Sequence, residues 1–472
     1  MTYPKLITVV LFVAILFKGT SQDDFVDTAV FSKLELQEDL NFWKNKLQGN
    51  HPILYQYNSK ESFEKYFDSL NAEIKESMTR AEFFRLIAPS SYFVKCSHSQ
   101  IMATQNMKTQ IVGASNMLPV DIRWYSGMAY ISYNYSGNEK LVEGTNVKSI
   151  NGVSTEEMYI KALSLLPRDG NSTQYPKYWV NRIFYYYYHL WYDLYDTYDI
   201  ETYSGNKISV SGMSVQEMDS VKANRPKIGL EKPEMIRLQI LDSINTAYLQ
   251  IGSFTDADIK NNNGKSWKKM LDSCFSEIKN SSSEFLIIDL QENGGGNPTY
   301  AWYLCRYFMN TEFVFKKEFR KIKDPSKSDY EERTKRTLLK DKTVGPTKPH
   351  KNSFKGDLFL LVDGGTCSAS AEVTSVVERY KRGVIIGEEV GGSSWLISSR
   401  WFFTKPLQLP NTELIYLAPR RTSVMGDYKN DTGYGTIPDI QVQPSIESYL
   451  KGEDIALTKA LELIHLKLYT IK

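Results

Sequence analysis

Two apolar runs that end at clustered glycines constrain the fold of this chain more than any other feature of its sequence. The first run, 285–290, leads into the triple glycine 294–296, and the second run, 358–363, leads into Gly364-Gly365. A helical pattern follows each turn. Short apolar runs bounded by glycines are typical of buried parallel strands. We therefore predict an α/β sheet whose two glycine turns open on the same edge, where such sheets bind their ligands.

The second turn continues through Cys367 and Ser368 into a helix, which is the form of a nucleophile turn. A serine between strand and helix is exposed, and its hydroxyl lies at a helix N-terminus, where N–H groups and the helix dipole favour negative charge. We predict Ser368 as the nucleophile. We predict an oxyanion hole formed by the N–H groups of Ala369 and of Gly294 or Gly295. The alternative is a turn whose hydroxyls only cap the helix.

A serine nucleophile needs a general base, and the chain contains five histidines. Four of them lie in surroundings typical of structural residues; these are His51, His189, His350 and His465. His98 follows Ser97 and precedes Ser99, between a helical and an extended segment, so hydroxyls on both sides can fix its tautomer. We therefore predict His98 as the base for Ser368.

Taken in order along the chain, several motifs resemble the C-terminal-processing (tail-specific) serine peptidases. The motifs are Ser97-His98, the loop 289–296, the turn 365–368, the stretch 387–392 and the late Gly435-Thr436-Ile437-Pro438-Asp439. The similarity covers roughly Leu34 to the C-terminus and is greatest to a secreted Bacteroidetes-type branch that shares features with the tricorn protease core. It implies a mixed α/β fold with an N-terminal helical portion, a PDZ-like β-rich module and an α/β catalytic domain. It also implies no metal or cofactor, and polypeptide substrates engaged near their C-termini.

The better-known branch of that family uses a serine–lysine dyad, with the lysine in a Gly-Lys-Gly loop after the serine. The equivalent loop here, 389–395, places Ser393 near the lysine position, and a hydroxyl cannot act as a neutral amine base at neutral pH. The serine–lysine dyad is therefore disfavoured.

The placement of the nucleophile also has an alternative. Glu372 lies one residue further from Ser368 than in the lysine branch, which leaves Ser370 as the alternative nucleophile.

The chain retains the serine–histidine pair of the tricorn-like arrangement. The resemblance implies that His98 takes the proton, Ser97 orients its ring and an acidic side chain steadies Ser97. It places that acid just before Gly435, where we expect Asp431. Asp427 and the absence of any acid are the alternatives.

The N-terminal sequence predicts a signal peptide. Lys5 precedes an apolar run, 6–17, that is short for a membrane span, and Thr20-Ser21 suit cleavage before Gln22. An uncut N-terminal anchor is the alternative. We predict a signal peptide at 1–21 and a periplasmic or extracellular mature protein. The predicted domains are an N-terminal helical region carrying His98 (22–110), a PDZ-like substrate-binding domain (111–225) and the serine peptidase catalytic domain (226–472).

Within these domains, Gly144 and the turn 149–152 resemble a PDZ-like module, whose sheet edge captures a peptide by strand addition. The charged, proline-bearing segment 319–353 is expected to form a long insertion or flap.

The charge balance excludes some partners. The chain has 57 Lys and Arg against 55 Asp and Glu, and removal of 1–21 deletes two lysines and no acid. A near-neutral protein has no electrostatic reason to bind nucleic acid or an anionic membrane. No cysteine or histidine pairs stand at zinc-ligand spacing. Cys96 and Cys367 flank the predicted site residues, and an oxidising compartment would permit a disulfide between them.

These observations predict a secreted or periplasmic serine endopeptidase that forms an acyl-enzyme on Ser368. The alternative is a catalytically inactive protein that binds peptides or apolar ligands on the same scaffold. A hydrolase of non-peptide esters is a third candidate.

Overall fold

The structure, a computed structural model, describes residues 27, 29–230, 233–261, 266–322, 334–337, 341–399, 407–427 and 431–470. The predicted signal peptide lies outside these ranges. The fold is mixed α/β, as predicted. No helix in the described ranges is both long enough and apolar enough to cross a membrane.

The N-terminal portion is mainly helical. Its elements are β1 (Val30–Ser32), α1 (Lys33–Asn50), α2 (Lys60–Glu73), β2 (Ser77–Thr79), α3 (Arg80–Ile87), α4 (Ser90–Phe93), β3 (Gln100–Met102) and α5 (Gln105–Gly113). Capping boxes fix the starts of α1 and α3: Ser32 pairs with Glu35, and Thr79 pairs with Glu82. These caps satisfy N–H groups that the helix cannot pair itself.

The next part is β-rich. Its elements are β4 (Val120–Tyr125), β5 (Met128–Asn134), β6 (Val147–Ile150), β7 (Val153–Ser154), α6 (Thr155–Ser164), α7 (Gln174–Trp191), β8 (Thr197–Thr202), β9 (Lys207–Ser211) and α8 (Val215–Ala223). Strands β4 and β5 form a hairpin, and a four-stranded sheet has the order β7-β6-β8-β9. Helix α7 is kinked at Ile183. This part and the N-terminal helices share one hydrophobic core, which includes Trp43, Phe83 and Tyr188.

A six-stranded sheet forms the centre of the C-terminal half of the chain. Its elements are β10 (Arg237–Leu241), a 3₁₀ turn (Asp242–Ile244), β11 (Thr246–Gln250), α9 (Asp256–Asn261), α10 (Trp267–Asn280), β12 (Phe285–Asp289), α11 (Pro298–Phe308), β17 (Asp357–Val362), α12 (Ala369–Tyr380), β18 (Val384–Gly387), β23 (Ile440–Gln441), α13 (Ile446–Lys451) and α14 (Ile455–Thr470). The order is β10-β11-β12-β17-β18-β23, and only β10 is antiparallel to its neighbour. The predicted strands are therefore adjacent and parallel, and both glycine turns leave the same edge.

Side chains alternate between the two faces of this sheet, as strand geometry requires. Leu249, Ile288 and Leu360 pack in one core with α10, α11 and α12, whereas Tyr248 and Ile287 pack on the other face with α14. Because both faces are covered, the strands consist almost wholly of apolar residues.

Smaller sheets connect the remaining segments. Their strands are β13 (Phe313–Val314), β14 (Glu318–Ile322), β15 (Thr334–Thr337), β16 (Pro346–Thr347), β19 (Leu396–Ser399), β20 (Leu407–Gln408), β21 (Ile415–Leu417) and β22 (Arg421–Val424). The segment 319–353 thus contains strands in its described part. Strand β3 pairs with β21, with Ile101 opposite Tyr416. Because β3 begins two residues after His98, this pairing ties the histidine segment to the C-terminal half of the chain.

Candidate active site

Ser368 has the backbone of a strained nucleophile turn. Its φ is 56° and its ψ is −120°, a region that residues with side chains rarely adopt. Cys367 and Ala369 on either side are buried, whereas Ser368 is partly exposed. Helix α12 begins at Ala369. Backbone strain of this kind persists only where the surrounding structure enforces it, and it is concentrated at functional sites.

Asp363, the residue after β17, holds the two glycine turns together. Its Oδ1 accepts hydrogen bonds from the N–H groups of Gly365 (3.0 Å) and Thr366 (3.0 Å) and from that of Glu292 (2.9 Å) in the other turn. Burial raises the pKa of Asp363 to about 8, and the Glu292 carboxylate adds to the shift. The Asp363 side chain thereby fixes the position of the turn at Glu292 relative to the turn at Gly365.

Ser370, the alternative nucleophile, is fully buried. Its hydroxyl accepts a hydrogen bond from Cys367 N at 2.8 Å and lies within hydrogen-bond distance of the carbonyl oxygens of Cys367 and Asn293. These contacts use the Ser370 hydroxyl to close the turn. Of the two serines, Ser368 is the one that the structure leaves accessible.

The triple-glycine turn packs directly on the nucleophile turn. A Cβ atom built on Gly295 would lie 2.7 Å from Ala369 N and 2.8 Å from Ser368 Cβ, so only glycine permits this approach. The Gly295 N–H donates to Asn293 Oδ1 at 2.9 Å. Among the described residues, the N–H groups of Gly294 and Ala369 have no acceptor. Of the two predicted glycine donors, Gly294 is thus the one available to an oxyanion.

The segment of the predicted base lies against the turn that carries Ser368, through Ser97. His98 is half-buried, and its Nδ1 lies 3.0 Å from Ser97 Oγ. Ser97 Oγ in turn lies 4.0 Å from Cys367 Sγ, so the serine–histidine pair contacts the residue that precedes Ser368. The structure therefore brings together two segments that are 270 residues apart.

The predicted acid, Asp431, does not contact Ser97 in this structure. Its Oδ2 accepts a hydrogen bond from Tyr57 Oη at 2.5 Å, and its Oδ1 accepts one from Gly433 N at 2.8 Å. Burial raises the pKa of Asp431. Asp427, the alternative acid, is exposed.

A carboxylate that the sequence analysis missed lies beside Ser97. Asp169 Oδ1 accepts a hydrogen bond from Ser97 N at 2.7 Å, and Oδ2 accepts one from Ser393 N at 3.2 Å. Asp169 is only 4% exposed, and burial raises its pKa. It lies in a polar turn between α6 and α7 that carries no recognisable motif, so no local signal identified it.

The loop 389–395, which corresponds to the lysine loop of the better-known branch, also packs on Ser368. A Cβ on Gly392 would lie 3.1 Å from Ser368 N. Ser393 is buried, and its Oγ accepts hydrogen bonds from the N–H groups of Trp395 and Leu396 at 3.3 and 3.2 Å. Its hydroxyl therefore caps the turn into β19.

A buried ion pair lies beneath the first turn of α12. Lys316 Nζ is 2.8 Å from Glu372 Oε1, and the two side chains are 1% and 4% exposed. Burial lowers the pKa of Lys316, and the Glu372 carboxylate opposes that shift.

The remaining cysteine and histidine candidates have structural surroundings. Cys96 and Cys367 are both buried free thiols, so the disulfide that an oxidising compartment would permit is not formed. Burial lowers the pKa values of His51 and His189 to about 3, which keeps both rings neutral in the core.

Part of this chain is similar to known peptidases. Residues 245–442 match the model of peptidase family S41. Over 126 residues the chain is 27% identical to the tail-specific protease of Haemophilus influenzae. That match covers 26% of this chain but only 15% of the relative's length.

Solved structures show the same fold over most of the chain. The crystal structure of mature CPAF aligns with a TM-score of 0.64 at 12% identity, covering 92% of this chain and 98% of that one. Mature CPAF complexed with lactacystin aligns over the same shares with a TM-score of 0.63 and 12% identity. The family match confirms the resemblance that the ordered motifs indicated, and the alignments show the shared fold.

Proposed function

From the membership of residues 245–442 in peptidase family S41, we propose that this protein is a serine endopeptidase with Ser368 as nucleophile and His98 as general base. One observation carries the proposal: Ser368, in a strained strand-to-helix turn, lies next to a residue that contacts the Ser97-His98 pair. The described part of the loop 389–395 contains no lysine, which favours a serine–histidine site over a serine–lysine dyad.

The reaction would proceed through an acyl-enzyme. Ser368 Oγ attacks the carbonyl carbon of the scissile peptide, and its proton passes to His98 Nε2. The N–H groups of Ala369 and Gly294 stabilise the oxyanion as the C–O bond forms. His98 then donates that proton to the leaving amine as the C–N bond breaks. Water, deprotonated by His98, then attacks the acyl carbon; the bond to Ser368 Oγ breaks, and His98 returns the proton to that oxygen.

The substrates would be polypeptides, as the family match supports. We further propose that the segment 111–225 acts as a PDZ-like module that engages substrate near its C-terminus. Strand β9 lies at the edge of the sheet in that segment, which suits strand addition. A signal peptide at 1–21 would direct the protein to the periplasm or the exterior and would then be removed.

The inactive-binder alternative is less well supported by the local geometry. A peptide-binding groove does not require a serine held at positive φ, nor unpaired N–H groups beside it. Such strain costs about 1–3 kcal/mol in general, so its retention favours a catalytic role.

Mass-spectrometric digestion of an unfolded protein by the mature chain tests the proposal. We expect cleavage by the wild type, none by Ser368→Ala, and a loss of about 10²- to 10⁴-fold in His98→Ala. Ser375→Ala is the matched control, because Ser375 is a buried serine of the same helix whose hydroxyl donates to Ser394 O. Activity that survives in Ser368→Ala would refute the proposed nucleophile, and equal activity in His98→Ala would remove the base.

A further inference from the structure

We infer that Asp169 is the acidic positioning residue of this site and that it acts on His98 through Ser97, in place of Asp431. The inference rests on the proposed function. It assigns the role to a segment, between α6 and α7, to which the motifs of the sequence do not point.

The contacts of Asp169 converge on the serine–histidine pair. The Ser97 N–H donates to Asp169 Oδ1 at 2.7 Å, which fixes the backbone of the pair. The Ser97 side chain also lowers the pKa of this carboxylate, in opposition to the effect of burial. Ser97 Oγ is 3.0 Å from His98 Nδ1. Residue 97 thus contacts the carboxylate through its backbone N–H and the imidazole ring through its hydroxyl.

The direction of the hydrogen bonds follows from what each group can donate. A carboxylate only accepts, so in the relay that we infer the Ser97 hydroxyl donates towards Asp169 and accepts from His98 Nδ1–H. That tautomer leaves His98 Nε2 without a proton, as a base for Ser368 must be. When Nε2 takes the proton, the negative charge of Asp169 stabilises the imidazolium.

Asp169 also ties the base to the nucleophile's surroundings. Its Oδ2 accepts from Ser393 N at 3.2 Å, and Gly392, the residue before Ser393, packs on Ser368. One buried carboxylate therefore holds both the segment of His98 and the loop beside Ser368.

Of the charged and titratable groups around Asp169, none competes with it as the acid of the relay. Asp431 faces it, but the Asp431 oxygens are bonded to Tyr57 and Gly433. Burial raises the pKa values of the nearby Tyr57 phenol and of the Cys96 and Cys367 thiols, so these three groups stay neutral near pH 7.

The experiment compares Asp169→Asn with Asp39→Asn over the pH profile of kcat/KM. Asp39 is a matched control, because it is equally buried and also accepts two backbone N–H bonds, from Asn411 and Thr412, with no contact to Ser97. An acid bonded directly to a catalytic histidine contributes about 10⁴-fold. Since Asp169 acts through Ser97, we expect Asp169→Asn to lower kcat by about 10²-fold, with KM little changed.

We also expect Asp169→Asn to shift the acid limb of the profile to lower pH, because the imidazolium loses its counter-charge. Asp39→Asn should leave both kcat and this limb unchanged. Ser97→Ala should reproduce the effect of Asp169→Asn, and the double variant should be no worse than either single variant, because both break the same chain of bonds. This arm keeps the test valid if Asp169→Asn folds poorly.

The outcomes separate this inference from the proposed function. If Ser368→Ala is inactive and Asp169→Asn matches the wild type in kcat and acid limb, Asp169 has no such role. If Ser97→Ala and Asp169→Asn have independent, additive effects, the relay is also overturned. If Ser368→Ala remains active, the proposed function itself fails.

Discussion

Replacing Lys316 with methionine should strongly destabilise helix α12, which follows Ser368. Lys316 and Glu372 form an ion pair 2.8 Å long that is almost completely removed from solvent. The other carboxylate oxygen, Glu372 Oε2, has no hydrogen-bond partner in the described part of the chain. Lys316→Met would therefore leave a carboxylate without its counter-charge in the first turn of α12.

The size of the effect follows from this burial. Breaking a buried ion pair by removing one partner costs about 3–5 kcal/mol, whereas an exposed pair contributes about 0–1 kcal/mol. Native-state hydrogen exchange of the α12 amides measures the change locally, without assuming that the whole chain unfolds in one step. Since 1.4 kcal/mol corresponds to a factor of ten, exchange should accelerate by about 10²- to 10⁴-fold where it occurs through opening of this helix.

Two further variants make the result specific. Lys65→Met removes an ion pair of similar length, 2.7 Å, whose side chains are both 75% exposed, and should change exchange in its own helix by less than tenfold. Lys316→Met combined with Glu372→Met replaces the pair with apolar side chains and should recover most of the loss. If Lys316→Met accelerates exchange no more than Lys65→Met does, or if the double variant is as unstable as the sum of its single variants, the reasoning is wrong.

Three further predictions concern the turns around Ser368. The pKa of Asp363 is about 8 in the folded protein against 3.8 ordinarily, so the native state retains a proton that the unfolded chain releases, and the free energy of unfolding should fall as pH rises between these values. Urea unfolding at several pH values should show that the free energy of unfolding falls less steeply with pH in Asp363→Asn than in the wild type. Gly295→Ala should abolish activity and lower the melting temperature, because residue 295 has a φ of +92° and the new Cβ would lie 2.6 Å from Cys367 O. Gly294→Ala should keep the wild-type melting temperature, because its Cβ would meet no atom within 4 Å. Alkylation of the denatured protein without reductant, followed by intact-mass measurement, should modify both Cys96 and Cys367, whereas a protected pair would reveal a disulfide.

The parts of the site that the sequence predicted are those with local physical signals. Apolar runs that end at glycines indicated β12 and β17, and their parallel pairing placed both turns on one edge. Glycine at position 295 is required by a close approach, and the serine after Gly365-Thr366-Cys367 by the turn geometry. The relation of Ser97-His98 to this turn came from the family resemblance, since no local pattern reports a contact over 270 residues.

The inferred acid, Asp169, is a residue to which sequence reasoning did not point. Asp431 stands near the place that the resemblance indicated, yet Tyr57 and Gly433 engage it, and those contacts depend on how distant segments pack. Asp169 reaches Ser97 from 72 residues away, from a turn whose composition is ordinary for a surface loop. The Lys316–Glu372 pair was missed for the same reason: the burial of a lysine cannot be read from its own neighbours in sequence.

The position of Asp169 also gives a physical reason for the absence of a lysine from the loop 389–395. A base lysine must be neutral to accept the serine proton, and burial achieves this only where no counter-charge is present. At position 393 the backbone N–H is bonded to Asp169, and the side-chain oxygen accepts two further N–H groups. A lysine there would lose those two bonds, and the adjacent carboxylate would favour its charged form. If Asp169 supports a histidine base, as we infer, the same carboxylate would work against a lysine base at position 393, and the two forms of the site would exclude each other on this scaffold.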